Sequence, residues 1–220
     1  MRFSAVYRVG GSKSLPLFIP ETGGGSRAKN RSFKREAQMG TLEFHIWGSR
    51  IDELEKPDMM VFDLDPDEGM DIERVRQGVW DLKSILKELS LDSYLKTSGG
   101  KGYHVVVPLK PSVNWDRFHD FARGVAEVME KKWPDRYTSN VRKAKRAGKI
   151  FIDWIRNARG ATSIAPYSLR ARKGARVSMP ISWEELDNVA PNGINIKDAL
   201  LRFEVNDPWK DFFNCNQMLK

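Results

Sequence analysis

The chain has 220 residues, 40% of them apolar and 30% charged, which is the balance of one globular unit or at most two small ones. No run of about 18 apolar residues could span a bilayer. Gly, Ser, Lys and Pro break the apolar stretch near the start, so no signal-peptide pattern is visible. The single Cys215 excludes an internal disulfide and fits a reducing cytoplasm. The net charge of +8 is concentrated rather than spread: Arg136 to Arg176 holds twelve Lys and Arg against one acid, Asp153, and residues 1–38 hold eight against two. Such a run is either a solvated face or the footprint of a polyanionic partner.

Residues 1–38 show no sustained period and are expected to form a loosely ordered basic tail ahead of one catalytic unit over residues 39–220. From Thr41 the pattern tightens. "TLEFHIW" alternates as a strand, and "MMVFDLD" reads as a second, more fully buried strand that breaks at Pro66 and Gly69. In "DIERVRQGVWDLKSILKELS", Ile72, Val75, Val79, Leu82, Leu86 and Leu89 recur three or four apart behind Asp71 as N-cap, which predicts an amphipathic helix. "DSYLKTS" and "GYHVVVPL" follow as strands joined by "GGKG". A second helix in "NWDRFHDFARGVAEVMEKKW" carries the stripe Trp115, Phe118, Ala122, Val125 and Met129. "VRKAKRAGK" reads as a basic helical piece before the strand "IFIDW"; "TSIAPYS" and "ARVSMPIS" read as short strands. "SWEELDNV", with a Ser182–Glu185 capping box, and "IKDALLRF" read as helices. The expected fold is α+β: a mixed, largely antiparallel sheet core with flanking helices.

Strand side chains alternate, so Asp63 and Asp65 share a face. Paired carboxylates repel unless a cation sits between them, and all-oxygen ligation suits Mg²⁺ or Mn²⁺ rather than Zn²⁺. Alone, the pair reads more readily as the opening of a polar turn. Asp153, at the end of another apolar strand, would complete a set of three able to hold two ions about 3.5–4 Å apart for in-line phosphoryl displacement; otherwise it pairs with Arg156 or Arg159. The loop "TSGGKGYH" is no Walker A motif, yet its glycines let amides approach an anion, Lys101 adds a charge, Ser98 a donor, and His104 faces the same side as Gly102. The competing reading is a flexible hairpin. His45 is readable as a core histidine or as a site residue. Arg156, Arg159, Arg170, Arg172 and Arg176 suit phosphate oxygens, which fits a triphosphate together with a nucleic-acid backbone.

"LEFHIWGSR", "VFDLDPD", "LKTSGGKGYHVVVPL", "FIDWIRNARGATSIAPYS" and "RARKGARVSMPISWEEL" resemble, in order and spacing over about residues 38–213, the polymerase domain of bacterial DNA ligase D, a branch of the archaeo-eukaryotic primase superfamily. The resemblance implies a primase-type nucleotidyltransferase that adds nucleotides, ribonucleotides preferred, to DNA 3′ ends in non-homologous end joining. It uses two Mn²⁺ or Mg²⁺ ions and a nucleoside triphosphate. It implies Asp63, Asp65 and Asp153 as catalytic metal ligands, and His45, Ser98, Lys101, His104, Arg156, Arg170 and Arg172 as nucleotide-binding. Arg142, Lys143, Lys145, Arg146 and Arg159 are expected on the nucleic acid. The expected partners are gapped or 3′-overhanging DNA ends, Ku and a DNA ligase, for a monomer in the nucleoid-bearing cytoplasm. Family members carry about a hundred residues ahead of the "EFH" strand where 37 precede Gln38 here, so the usual N-terminal lobe is expected to be lacking. The rival expectations are an inactive DNA-end-binding remnant and a metal-dependent phosphoesterase or nuclease.

Overall fold

In the computed structural model, which describes residues 5–7, 15–16, 40–50, 52–203 and 207–219, the apolar run ahead of the two aspartates forms the longest strand among the described residues. In chain order the strands are β1 (Ala5–Tyr7), β2 (Leu15–Pro16), β3 (Phe44–Ile46), β4 (Met59–Pro66), β5 (Tyr94–Thr97), β6 (Tyr103–Pro108), β7 (Tyr137–Thr138), β8 (Ile150–Asp153), β9 (Ser163–Ile164) and β10 (Pro180–Ile181). The helices are α1 (Ile72–Glu88), α2 (Trp115–Lys132) and α3 (Ile196–Arg202). Six strands form one sheet in the order β10-β5-β6-β4-β8-β7, antiparallel except for the β7–β8 pair, and β2-β1-β3-β9 form a smaller antiparallel sheet. This is the mixed, largely antiparallel α+β architecture that the strand and helix periods predict. Apart from β1 and β2, the expected basic tail over residues 1–38 lies outside the described residues.

The two faces of the large sheet do different work. Met60, Phe62 and Leu64 of β4, Leu95 of β5, Tyr103, Val105 and Val107 of β6, and Ile150 and Ile152 of β8 all pack into one core with Val75, Val79 and Leu82 of α1 and Phe118, Ala122 and Met129 of α2. Each fully buried residue of this size contributes roughly 1.5–3 kcal/mol. The first helix begins at the predicted cap, where the Asp71 side chain accepts from the Glu73 amide, and the second is capped by Asn114, which accepts from the Arg117 amide. On the opposite face β4 presents Val61, packed with Val106, Trp209 and Phe212, and then the acids.

Two expected helices are shorter than their patterns. "VRKAKRAGK" forms only a 3₁₀ turn at Lys143–Lys145, because Arg146 turns back to donate to the Asn140 and Val141 carbonyls and Gly148 takes a positive φ of 68° while its amide donates to Asp67. "SWEELDNV" keeps its capping box but closes as a 3₁₀ turn at Trp183–Glu185, with i→i+3 bonding from Leu186 to Trp183. "ARVSMPIS" narrows to β10 plus an isolated bridge between Leu169 and Val177. Among the described residues no helix is long and apolar enough to cross a membrane.

Gly102, at the entry of β6, stands where no side chain fits: a Cβ there would lie 1.8 Å from the Leu64 carbonyl oxygen, a backbone atom that cannot step aside. This close approach draws the glycine loop against the acid-bearing end of β4. Gly102→Ala is therefore expected to destabilise the fold by about 3 kcal/mol. Gly124→Ala, mid-helix with nothing within 4 Å of the added Cβ, should stabilise it by about 0.5–1 kcal/mol. Urea unfolding of the two variants measures both, and equal midpoints would contradict the assignment.

Candidate active site

Strand register lays a row of polar side chains across the open face of the large sheet. Lys96 on β5 is paired with His104 on β6, His104 with Asp63 on β4, and Asp63 with Asp153 on β8; Asp65 follows two residues along β4 on the same face. His104 Nε2 lies 3.3 Å from Asp63 Oδ2. Arg156, just past β8, spans the acids, with Nη2 3.2 Å from Asp63 Oδ2 and Nε 3.1 Å from Asp153 Oδ2. Asp153 Oδ1 also accepts from the Ile155 amide, and Arg146, its guanidinium over the Phe151 ring, reaches within 3.9 Å of Asp65.

These surroundings drive the acidities apart. Burial by itself would raise the Asp63 carboxyl, but the His104 contact, the Arg156 charge and Lys96 hold it well below the usual carboxylate range. Asp65 is pushed up by burial and then by the Asp63 charge; for Asp153 burial is again the main cause, with Asp63 adding to it against the pull of Arg156. Burial and the charge of Lys96 depress His104 to about 4, which makes it a neutral imidazole at pH 7. Lys96, 1% exposed, is pushed well below the ordinary lysine range by burial, and its Nζ donates to Ser178 Oγ at 2.7 Å.

Asp63, Asp65 and His104 of this row, together with Arg156, line a cleft of about 770 Å³. The rest of its lining is largely cationic and amide-rich. Ser98, Gly100, Lys101 and Gly102 of the glycine loop lie there together with Arg170 and Arg172. Ser98 Oγ accepts from the Gly100 amide at 3.1 Å, which folds the loop back on itself, and Gly99 takes a φ of 68°. His45 on β3 closes one side, held by Glu43 at 2.8 Å. Glu43, 8% exposed, also accepts from the Ala171 amide and lies 3.6 Å from Arg170 Nη1. Burial would raise its carboxyl, yet the bonds from His45 and Ala171 and the Arg170 charge outweigh that and hold it at about 2.

Asp63, Asp65, His45, Ser98, Lys101, His104, Arg156, Arg170 and Arg172 thus meet at one cleft, with Asp153 beside Asp63 through Arg156. Arg146 joins through Asp65, whereas Arg142, Lys143 and Lys145 stand exposed on the segment before β8, outside the cleft lining. Arg159 turns away and forms a forked ion pair with Glu55 at 2.6–3.0 Å. Two residues escape the sequence reading. Lys96 shares strand parity with Ser98, a cue the pattern did contain; Glu43 shares parity with His45 two residues on.

Among the described residues no three His, Cys, Asp or Glu side chains stand close enough together to hold an ion as they are. The donor set nonetheless fits a hard divalent cation. It is all carboxylate oxygen, drawn from adjacent strands onto one face, with two of its members pushed toward protonation by burial and mutual repulsion and with an arginine already supplying positive charge between them.

The sequence model of the LigD primase-polymerase domain matches residues 28–209. The chain is 40% identical over 186 residues to the multifunctional non-homologous end joining protein LigD of Pseudomonas aeruginosa, which covers 83% of this chain and 22% of that protein. It is 34% identical over 170 residues to the protein of the same description from Mycolicibacterium smegmatis, covering 76% of this chain and 22% of that one. The chain thus spans about a fifth of the length of these relatives. Among solved structures, the polymerase domain of Mycobacterium tuberculosis ligase D in complex with DNA superposes with a TM-score of 0.77 at 28% identity, over 97% of this chain and 75% of that one.

Glu43 yields a prediction about acid stability. Its folded pKa of about 2 lies below its ordinary 4.5, so its contribution is present above pH 4.5 and is lost as the pH falls from there toward 2. At about 1.4 kcal/mol per unit, the stability difference between wild type and Glu43→Gln should be about 3 kcal/mol at pH 6 and smaller by more than about 1 kcal/mol at pH 3.5. Urea unfolding at the two pH values reads this difference, and an unchanged gap would contradict the electrostatic account.

Proposed function

The chain belongs to the LigD primase-polymerase family, and from that premise we propose that it is a metal-dependent nucleotidyltransferase that adds nucleotides, ribonucleotides in preference, to a DNA 3′ end during non-homologous end joining. The observation that carries the reading is the cleft itself: Asp63 and Asp65 line the same space, about 770 Å³, as Lys101, Arg170, Arg172 and the glycine loop, a volume within the range of roughly 300–1,000 Å³ usual for small-molecule sites. A plain diester would give those cations nothing to do.

In this reading Asp63, Asp65 and Asp153 hold two Mn²⁺ or Mg²⁺ ions. Bound there, the ions would lower the pKa of the primer 3′-hydroxyl and offset charge on the departing pyrophosphate. Lys101, Arg170, Arg172, Ser98 and the loop amides take the triphosphate, with arginine forks matching its oxygens and the amides supplying fixed dipoles. The 3′-oxygen attacks the α-phosphorus, and pyrophosphate leaves in line against those cations. Neutral His104 steadies Asp63 as a charged carboxylate, and Glu43 orients His45 toward the nucleotide. Arg142, Lys143, Lys145 and Arg146 follow the DNA backbone on the segment before β8, Arg159 joins them by exchanging Glu55 for a phosphate, and Ku and a DNA ligase act on the same ends.

Primer extension on a gapped or 3′-overhanging duplex, with Mn²⁺ or Mg²⁺ and each nucleotide type, tests the reading. Extension is expected with ribonucleotides above deoxyribonucleotides, and Asp63→Ala should lower it by about a hundredfold or more. DNA binding without extension under either metal would sink the polymerase reading in favour of an end-binding remnant; shortening of the primer without added nucleotide would point to a nuclease. Affinity for the duplex should fall steeply between about 50 and 200 mM salt as phosphate contacts release counterions. An affinity flat over that range, measured by fluorescence anisotropy, would contradict backbone binding by the basic segment.

A further inference from the structure

The guanidinium of Arg156 stands where the carboxylates would need to close on an ion. It contacts Asp63 and Asp153 at once, at 3.2 and 3.1 Å, and the described residues offer no carboxylate cluster that could hold a metal around it. Its hold is incomplete. Nε is buried and, although 3.1 Å from Asp153, has no hydrogen-bond partner in good alignment, and Nη1 reaches the Thr162 carbonyl only at 3.4 Å. The side chain is 35% exposed and lines the same cleft as Lys101, Arg170 and Arg172. A long, partly exposed arginine so placed has two destinations bordering one space: the acid pair, or an anion held by Lys101, Arg170 and Arg172.

We infer that Arg156 is an internal counter-cation that a divalent ion must displace from Asp63 and Asp153, and that a bound triphosphate releases the acids by drawing Arg156 to its own oxygens. The inference rests on the metal reading proposed above and adds to it a coupling: metal and triphosphate favour each other through the movement of one side chain, beyond any direct contact between them. Because coupling free energy is reciprocal, removing Arg156 should tighten metal binding in the absence of nucleotide and shrink the gain that nucleotide brings. Like charge sharpens this competition, since a guanidinium and a divalent cation cannot share two carboxylates in so buried a place without strong repulsion. Arg172 supplies the control. It lines the cleft with the same charge, but among the described residues the arginines paired with the acids are Arg146 and Arg156, so Arg172 acts on them through the general field.

Mn²⁺ titration followed by electron paramagnetic resonance, with the intact chain and no nucleotide, reads the effect without any activity measurement. Arg156→Gln is expected to bind Mn²⁺ about tenfold more tightly than wild type. Arg156→Lys, which keeps the charge but not the fork, should fall between them, and Arg172→Gln should stay within about twofold of wild type. Adding a non-hydrolysable ribonucleoside triphosphate should tighten Mn²⁺ binding more in wild type than in Arg156→Gln. Without nucleotide, equal Mn²⁺ affinity in wild type and Arg156→Gln, or a tightening in Arg172→Gln as large as that in Arg156→Gln, would overturn the inference while leaving the metal site intact. Mn²⁺ bound by none of the proteins, with or without nucleotide, would remove the proposed metal site and this inference together. Circular dichroism of each variant identifies any loss that comes from unfolding.

Discussion

Asp63 faces Asp153 directly across the β4–β8 ladder, and much of the remaining structure is arranged around that pairing of like charges. Opposed carboxylates on neighbouring strands destabilise a sheet. They persist because the register is set from the other face, where Leu64 opposes Ile152 and both lie in the helix-covered core. A slip by one residue would turn the acids toward α1 and α2 and the apolar side chains toward water. The apolar core thus enforces an electrostatic conflict, which Arg156 and His104 then relieve on the open side.

From that conflict follows the chemistry. Within one cluster Asp63 is kept charged while Asp65 and Asp153 are pushed toward protonation, and a neutral histidine and a buried lysine extend the row. Such divergence among adjacent groups is characteristic of sites built for catalysis rather than for stability. The cleft owes its glycine-loop lining to Gly102, whose missing side chain lets that loop lie against Leu64, and another side to the small sheet, which delivers His45 and its partner Glu43. Cations of the basic segment divide between roles: Arg156 and Arg170 are drawn to buried acids, while Arg142, Lys143 and Lys145 remain exposed.

Much of this was legible beforehand wherever the signal is local. Strand alternation alone put Asp63 and Asp65 on one face, the three-four spacing placed α1 and α2 and their buried stripes except for Leu89, which ends α1 exposed, and Asp71 marked the start of α1. The order of the acid pair, the glycine loop and the arginines was enough for the family. Less legible were the short segments: the capping box at Ser182 and the basic run at Arg142 carried helical cues, yet tertiary bonds closed each after one 3₁₀ turn.

What the sequence determined by itself was therefore the identity of each element and the face on which each acid, histidine and loop residue lies, because periodicity, caps and glycines act over a few neighbouring residues. Only the tertiary structure decided that Asp63 and Asp153, ninety positions apart, stand opposite one another, that Lys96 lies buried at the end of their row, that Glu43 holds His45, and that Arg159 belongs to Glu55 while Arg156 bridges the acids. Those outcomes depend on strand order and register, which are set by how distant apolar faces pack together, and no local pattern encodes which charge a long side chain will find once that packing is complete.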